Sequence, residues 1–279
     1  MEVVRHSGPR AFLDRAEPWL LRAEDEHNLV LSLAYARAQR TAVDVDMFAT
    51  VEVGGSVVGC AFCTPPHKLG VTRMPSSAVP LLVEAVTEVY DAIPAVLGPR
   101  EVSECVAAGW AAARGVAWRA GMRQGIYRLD ELTPPPPVPG ALRRATQDDL
   151  ARALEWGEGF GADTGGHFRP PRESVEGWIQ RGDLHFWVDS EPVSMAVAQG
   201  RTPNGIRVGF VYTPPELRGR GYASACVAEL SQRMLDSGLS FCVLYTDLAN
   251  PTSNGIYRRI GYRMLHEVVD SEILGDGLT

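Results

Sequence analysis

A run of four prolines near the middle of the chain places the strongest constraint on its fold. Residues 133–140 read TPPPPVPG, and successive prolines favour an extended polyproline II conformation over a helix or a central strand. The chain has 279 residues, so each side of the run is long enough to bury its own core. The sequence therefore predicts two domains, residues 1–132 and 141–279, joined by a semi-rigid linker over 133–140.

The apolar periodicity predicts one order of elements on both sides of the linker. In the second half it is β-α-α-β-β-β-α-β-α-β, from a strand at residues 142–146 to a last strand at 262–269. The first half repeats most of this order, from two helices within residues 11–40 to a strand at 122–129. We predict an α/β (α+β) protein built from two copies of one fold, each a mixed, mostly antiparallel sheet flanked by helices.

Composition excludes several classes of function. The net charge of −7 and the pI near 5.4 disfavour non-specific attraction to nucleic acid. No apolar run approaches the ~18 residues of a membrane-spanning helix. Residues 1–10 also lack the apolar core of a secretory signal. We expect a cytoplasmic protein with no nucleic-acid or membrane partner, and the pattern permits either a monomer or an oligomer.

The five cysteines indicate neither a disulfide framework nor a metal site. Their number is odd, and the chain is long. Cys60 and Cys63 have CxxC spacing, but they lie in an apolar, strand-like run, where positions three apart point to opposite faces. We predict no bound metal and expect most cysteines to be small buried apolar residues.

The segment that indicates chemistry is residues 209–223, GFVYTPPELRGRGYA. An apolar run ends at two prolines and enters a Gly-rich turn that opens a predicted helix. A helix start carries unpaired N–H groups and the positive end of the helix dipole, and glycine lets this backbone approach a pyrophosphate closely. Gly219 and Gly221 supply that approach. The turn lacks the GKS or GKT of a Walker loop and the full GxGxxG pattern, and taken alone it could be a tight turn with solvated arginines.

Two motifs resemble the GCN5-related N-acetyltransferase (GNAT) family. Residues 218–223, RGRGYA, are similar to the family signature Q/R-x-x-G-x-G/A. Residues 250–262, NPTSNGIYRRIGY, resemble a later family motif with two asparagines, a tyrosine and a final Gly-aromatic pair. The resemblance implies tandem GNAT-like domains, of which residues 141–279 would be catalytic and would bind acetyl-CoA as co-substrate, without a metal.

The resemblance also implies roles for individual residues. The strand end would pair with the pantetheine arm, the turn and helix start would hold the pyrophosphate through their amides, and the two asparagines would contact the cofactor. Tyr257 would bind the cofactor too, and would protonate the departing thiolate as the catalytic residue. The implied cofactor-binding residues are Val211, Tyr212, Thr213, Arg218, Gly219, Arg220, Gly221, Tyr222, Ala223, Ser224, Asn250, Asn254 and Tyr257.

The implied activity is acetyl transfer to a primary amine of a small molecule or peptide by direct attack. The predicted central strand, residues 206–213, carries no acid that could serve as a general base. Glu158, Asp163, His167 and His185 lie in or near segments that line the acceptor cleft in relatives, but each fits better as a solvated loop or strand-end polar residue, and none is assigned as the base. A second hypothesis, from another class, is an acyl-CoA-binding regulatory or interaction module without turnover.

The first half is expected to be a degenerate copy. Its equivalent turn, residues 73–80 (RMPSSAVP), has no glycine, and its prolines lack N–H donors. The helix predicted at residues 101–114 has neither the paired asparagines nor a tyrosine. We expect no pyrophosphate site there.

Overall fold

The computed structural model describes residues 1–39, 46–166 and 169–275. The chain forms two compact units. The first unit comprises residues 1–126, 247–249 and 265–279, and the second comprises residues 127–246 and 250–264. Each contains β-strands with helices on both faces of their sheet.

In the first unit the strand order is β1-β2-β3-β4-β5-β12, with β4 and β5 parallel and the other neighbours antiparallel. One face packs on α1 and α2 around Phe12, Leu31 and Phe48. The other packs on α3 and α4 around Leu82 and Trp110. The elements are β1 (Glu2–Arg5), α1 (Pro9–Leu20), α2 (Asn28–Ala38), β2 (Met47–Val53), β3 (Ser56–Cys63), β4 (Leu69–Val71), α3 (Val79–Thr87), β5 (Ala95–Pro99), α4 (Arg100–Arg114), β6 (Ala117–Leu129), which ends in the second unit, and β12 (Arg263–Leu274).

In the second unit the strand order is β11-β10-β9-β8-β7, with β10 and β11 parallel and the other pairs antiparallel. One face packs on α7 and α8, and the other on α5 and α6. The elements are β7 (Ala141–Arg144), α5 (Leu150–Asp163), α6 (Arg172–Arg181), β8 (Leu184–Asp189), β9 (Glu191–Gln199), β10 (Gly205–Tyr212), α7 (Tyr222–Asp236), β11 (Phe241–Asp247) and α8 (Pro251–Arg259). The two halves thus follow one element order, as predicted, and β1 is a strand that the sequence pattern missed.

The last strand belongs to the first unit, and here the predicted division of the chain differs from the structure. Residues 268–272 of β12 pair antiparallel with β5, from Val268 opposite Pro99 to Glu272 opposite Ala95. The linear division placed this strand in a domain of residues 141–279. A local pattern identifies a strand but not its partner, because pairing depends on which sheet edge is open.

The proline-rich run forms neither a helix nor a strand, and it is packed along the second unit. The Trp187 Nε1 donates to the Pro139 carbonyl at 2.9 Å. Val138 packs against the core beneath α7, and the Thr133 N–H donates to the Ile260 carbonyl at 3.0 Å. The run is therefore packed against the core of the second unit and is not a free linker.

A glycine-rich stretch predicted as a loop, residues 157–171, is helical up to Asp163. Within the helix the glycines are needed for close packing, whereas Gly165 and Gly166, which follow it, take left-handed turn conformations. A Cβ on Gly159 would lie 2.3 Å from the Tyr212 hydroxyl, and one on Gly157 would lie 3.0 Å from Pro170. Only a residue without a side chain lets α5 approach so closely.

The CxxC pair is separated by the sheet, as predicted. Cys60 joins the cluster under α1 and α2, whereas Cys63 joins the cluster under α3 and α4. Both thiols are free, and burial raises the pKa of each, that of Cys63 to about 11. Neither is a nucleophile at neutral pH.

Candidate functional site

The site is built where β10 separates from β11. The parallel pairing joins Gly205, Ile206 and Arg207 to residues 241–243 and is not seen beyond Arg207 in the described part of the chain. On the other side, the register with β9 shifts by one residue between Gly209 and Tyr212. Such a bulge bends a strand and leaves backbone groups unpaired. The end of β10 therefore presents backbone N–H and C=O groups that an extended amide chain could use.

The bulge reverses the direction of the side chains. Ile206 and Val208 lie in the cluster under α7, and after the bulge Val211 packs against that cluster. Phe210 and Tyr212 face α5 and α6 instead. Phe210 makes this reversal with φ of 49°, a left-handed conformation that a bulky residue rarely adopts. Backbone strain is thus stored at the point where the strands part.

A buried hydroxyl network holds the strand end. The Thr213 hydroxyl donates to Ser194 Oγ at 2.9 Å, and Ser194 Oγ donates to the Tyr212 carbonyl at 3.1 Å. Ser194 is fully buried in β9. Ser194 was not predicted as a site residue; the feature that could have indicated it is a single hydroxyl residue within an apolar strand. These bonds position the predicted cofactor-binding residues Tyr212 and Thr213.

After Thr213 the chain turns through two prolines and a short 3-10 helix, Pro215–Leu217, into a loop with two left-handed glycines. Gly219 has φ of 76° and Gly221 has φ of 86°. A Cβ on Gly219 would meet nothing within 4 Å, whereas one on Gly221 would lie 2.9 Å from Val138 Cγ1. The loop is open at Gly219 and is backed by the proline-rich run at Gly221.

The first turn of α7 directs amide groups into this loop. Gly221 is the N-cap, and the Ala225 N–H is the first intrahelical donor, to the Gly221 carbonyl at 3.0 Å. The N–H groups of Tyr222, Ala223 and Ser224 precede it and lie at the positive end of the helix dipole. Together with Gly219 and Gly221, they form the arrangement predicted for a pyrophosphate.

The side chains of the loop are already engaged. Arg218 donates from Nε to the Thr213 carbonyl at 2.9 Å and from Nη2 to the Asp163 carboxylate at 2.5 Å. Arg220 donates to the Glu216 carbonyl at 3.0 Å. The Tyr222 hydroxyl donates to Asp189 at 2.7 Å, and this bond raises the pKa of the tyrosine. Backbone amides, rather than free guanidinium groups, are therefore the groups that this loop offers to a ligand.

The two predicted asparagines have structural partners at the start of α8. Asn250 is the N-cap, and its side chain accepts from the Ser253 N–H at 3.1 Å. Asn254 is buried; its amide donates to the Asn250 carbonyl at 2.7 Å and its carbonyl oxygen accepts from the Tyr127 hydroxyl at 3.0 Å. These bonds hold the two asparagines in place, and contact with a cofactor stays a prediction.

Tyr257 lies on the buried face of α8. Its ring packs edge-on against Tyr262, with centroids 6.1 Å apart. Burial, with a smaller effect of the nearby Cys226 thiol, raises the pKa of Tyr257 well above its usual range. A neutral phenol of this kind can donate a proton to a ligand group.

The candidate bases are placed differently from one another. Glu158 forms an ion pair with Arg169, and Asp163 forms one with Arg218. His185 is buried in β8 beside the Asp183 carbonyl, and burial lowers its pKa. His167 lies outside the described residues. None of the three described groups is an unpaired base near β10.

The equivalent region of the first unit is closed. A Cβ on Gly98 of β5 would lie 2.4 Å from the Val71 carbonyl oxygen, so β4 and β5 stay in contact where β10 and β11 separate. The turn before α3 contains Pro75 and no left-handed residue, and Pro80 lies in the first turn of α3 itself. That the first half is a degenerate copy stays a prediction.

Over the described ranges, no group of three or more His, Cys, Asp or Glu side chains is placed to hold a metal ion. None of the helices in those ranges is both long enough and apolar enough to cross a bilayer.

Comparison with known proteins points to one family. The model of the acetyltransferase (GNAT) family matches residues 150–262, which include β10, the glycine loop, α7 and α8. None of the curated proteins matches the sequence.

Solved structures share the fold over nearly the whole chain. An acetyltransferase of the GNAT family from Colwellia psychrerythraea has a TM-score of 0.60 at 12% identity, with 98% of this chain and 100% of that chain covered. A GCN5-related N-acetyltransferase from Sphaerobacter thermophilus has a TM-score of 0.61 at 16% identity, covering 96% and 94%. A tandem GNAT protein from the clavulanic acid biosynthesis pathway has a TM-score of 0.55 at 11% identity, with 100% of both chains covered.

Proposed function

We propose that this chain, whose residues 150–262 match the model of the acetyltransferase (GNAT) family, transfers an acetyl group from acetyl-CoA to a primary amine of a small molecule or peptide. One observation carries the proposal. An opened strand end, a loop with two left-handed glycines and a helix start follow each other within residues 205–224. These are the groups that an extended amide arm and a pyrophosphate require, in the order in which coenzyme A presents them.

The backbone supplies most of the cofactor contacts in this proposal. Val211, Tyr212 and Thr213 offer the edge of β10 to the pantetheine amides. The amides of residues 218–224 surround the pyrophosphate, where the dipole of α7 adds to their attraction. Backbone recognition explains why the loop needs glycine at Gly219 and Gly221 and does not need a lysine.

The chemistry proposed is a direct transfer. The amine nitrogen attacks the thioester carbonyl carbon, so a C–N bond forms while the C–S bond breaks, and the amine gives up a proton to solvent. The backbone N–H near Val211 stabilises the carbonyl oxygen as negative charge develops on it. Tyr257 donates its proton to the departing sulfur and is reprotonated from solvent.

Calorimetry with acetyl-CoA tests the cofactor site. Gly219 is the best position for a variant, because its Cβ would meet no atom within 4 Å. We expect Gly219→Glu to weaken binding by at least about tenfold, since its carboxylate repels the pyrophosphate. Gly219→Ala imposes the same left-handed strain without the charge and should retain most of the affinity. Equal affinity in wild type and Gly219→Glu would contradict the proposed site.

Release of free thiol tests the transfer itself. We expect wild-type protein to release thiol from acetyl-CoA only when a primary amine is present. Binding of acetyl-CoA without thiol release from a broad set of amines would favour the other hypothesis, an acyl-CoA-binding module without turnover.

A further inference from the structure

Resting on the proposed function, we propose that the preferred acceptor is a primary amine that carries an apolar, ring-sized group, and that Phe160 and Phe210 bind this group beside the opening of β10. The proposal is carried by the direction of Phe210, the aromatic cluster around it, the open space over Gly209 and the pairing of nearby charges.

The first step is the conformation of Phe210. Its φ of 49° is a strained conformation for a bulky residue, whereas glycine would adopt it freely. The bulge turns the Phe210 ring away from the α7 face and toward α5 and α6. A phenyl ring is thus kept, at a conformational cost, one residue before the proposed thioester contact at Val211.

The second step is the cluster that the ring joins. The centroid of Phe210 lies 5.1 Å from that of Phe160 and 4.6 Å from that of Trp178. Trp178 is buried, and its Nε1 donates to Gln199 at 2.9 Å. Phe160 and Phe210 are only partly buried. Two aromatic rings therefore keep apolar surface in contact with solvent, over a packed base.

The third step is the space next to these rings. Gly209 pairs with Val197, which lies in the cluster under α5 and α6, so Gly209 faces the same side. A Cβ built on Gly209 would meet nothing within 4 Å. An acceptor could therefore approach β10 from this side, with its body against Phe160 and Phe210 and its amine toward Val211.

The fourth step concerns charge. The two acids of α5 on this side, Glu158 and Asp163, are each paired with an arginine, Arg169 and Arg218. Their attraction for a second cation is largely cancelled, so a polyamine or an aminosugar would gain little beyond the reacting nitrogen. An apolar ring, in contrast, gains both burial and edge-to-face packing.

The test compares four amines on the full chain: 2-phenylethylamine, ethylamine, spermidine and glucosamine. We expect the largest kcat/KM with 2-phenylethylamine. Phe160→Ala should lower kcat/KM for this amine by about tenfold or more, while kcat/KM for ethylamine and the Kd for acetyl-CoA stay within about twofold. Leu154→Ala is the matched control, since Leu154 lies on the same helix and packs on the same cluster. We expect it to leave kcat/KM unchanged for both 2-phenylethylamine and ethylamine.

Phe160→Leu guards against a folding defect, because it keeps apolar volume and removes only the ring. It should lower the preference for 2-phenylethylamine over ethylamine partway. A preference for spermidine or glucosamine, or an equal loss for both test amines in Phe160→Ala, would overturn the inference and leave the transferase activity standing. Absence of thiol release with all four amines in wild type would instead remove the proposed function, and the inference with it.

Discussion

At the scale of single residues, the proposed chemistry depends on groups whose state is set by burial. Tyr257 is buried beneath the strand end, and loss of hydration raises its pKa, so the phenol stays neutral through the physiological range. The adjacent Cys226 thiol is also buried, and its pKa is raised to about 12. Both groups therefore stay protonated at neutral pH, so Tyr257 can donate a proton and the Cys226 thiol does not compete as a nucleophile.

Tyr257→Phe tests the proton donor. We expect kcat to fall by at least about tenfold, as for loss of a general acid, with the Kd for acetyl-CoA unchanged within twofold. Because the pKa of Tyr257 is raised, wild-type kcat should not decline with pH through ionisation of this group up to about pH 10. Steady-state kinetics from pH 6 to 10 measures the fall in kcat of the variant and the pH dependence of kcat of the wild type.

Tyr262→Phe is the matched control for that variant. Its hydroxyl is bonded to Ser231 at 2.8 Å on the far side of the ring pair, so the loss should lower stability without changing kcat. Equal kcat in wild type and Tyr257→Phe would remove Tyr257 from the acid role.

At the scale of elements, the site depends on how closely α5 approaches β10. Gly159 lies where a Cβ would be 2.3 Å from the Tyr212 hydroxyl and 2.5 Å from its ring carbon. The backbone of the helix therefore rests on the ring at the end of the bulged strand. A sequence pattern cannot report this, because the same glycine normally indicates a turn.

Two glycine substitutions measure that contact. Gly159→Ala should destabilise the fold by about 1–3 kcal/mol, because Tyr212 would have to move. Gly177→Ala, inside α6, should instead stabilise it by about 0.5–1 kcal/mol, since its Cβ meets only the flexible end of Arg181. Urea denaturation of both variants gives the comparison, and a stabilised Gly159→Ala would contradict the close approach.

At the scale of the whole molecule, the chain contains two copies of one element order, yet the division between its compact units does not follow the sequence. The last strand, β12, completes the sheet of the first unit, where Val268 and Val269 are buried and the Ser103 hydroxyl bonds to Ser271 at 2.8 Å. Asp270 of the same strand is buried and is paired with Lys68, the chain's single lysine. Residues 202 positions apart are thus in direct contact.

A double-mutant cycle on Lys68 and Asp270 tests this placement. Lys68→Met alone should destabilise the protein by about 1–3 kcal/mol, because it leaves a buried carboxylate uncompensated, and adding Asp270→Asn should recover much of the loss. The exposed Arg5–Glu88 pair of the same unit is the control, with an expected coupling below about 1 kcal/mol. Zero coupling between Lys68 and Asp270 in thermal or urea unfolding would argue against the strand's position.

Features that depend on interactions between near neighbours in the chain could be predicted from the sequence alone. Prolines kept residues 133–140 out of helices and strands, glycines took the left-handed positions of the loop before α7, and apolar periodicity predicted the order of elements. The opposite faces of Cys60 and Cys63 followed from strand geometry alone. Each of these depends on near neighbours in the chain, so a single sequence contains the signal.

Features that depend on contacts between distant segments arise only in the folded chain. The pairing of β12 with β5, the helical state of the glycines in α5, the bonds of Asn254 to Tyr127 and Asn250, and the reversed direction of Phe210 all arise from packing between remote segments. Pairing energy and steric fit are properties of the assembled chain. A residue type at one position therefore cannot specify which surface it will meet.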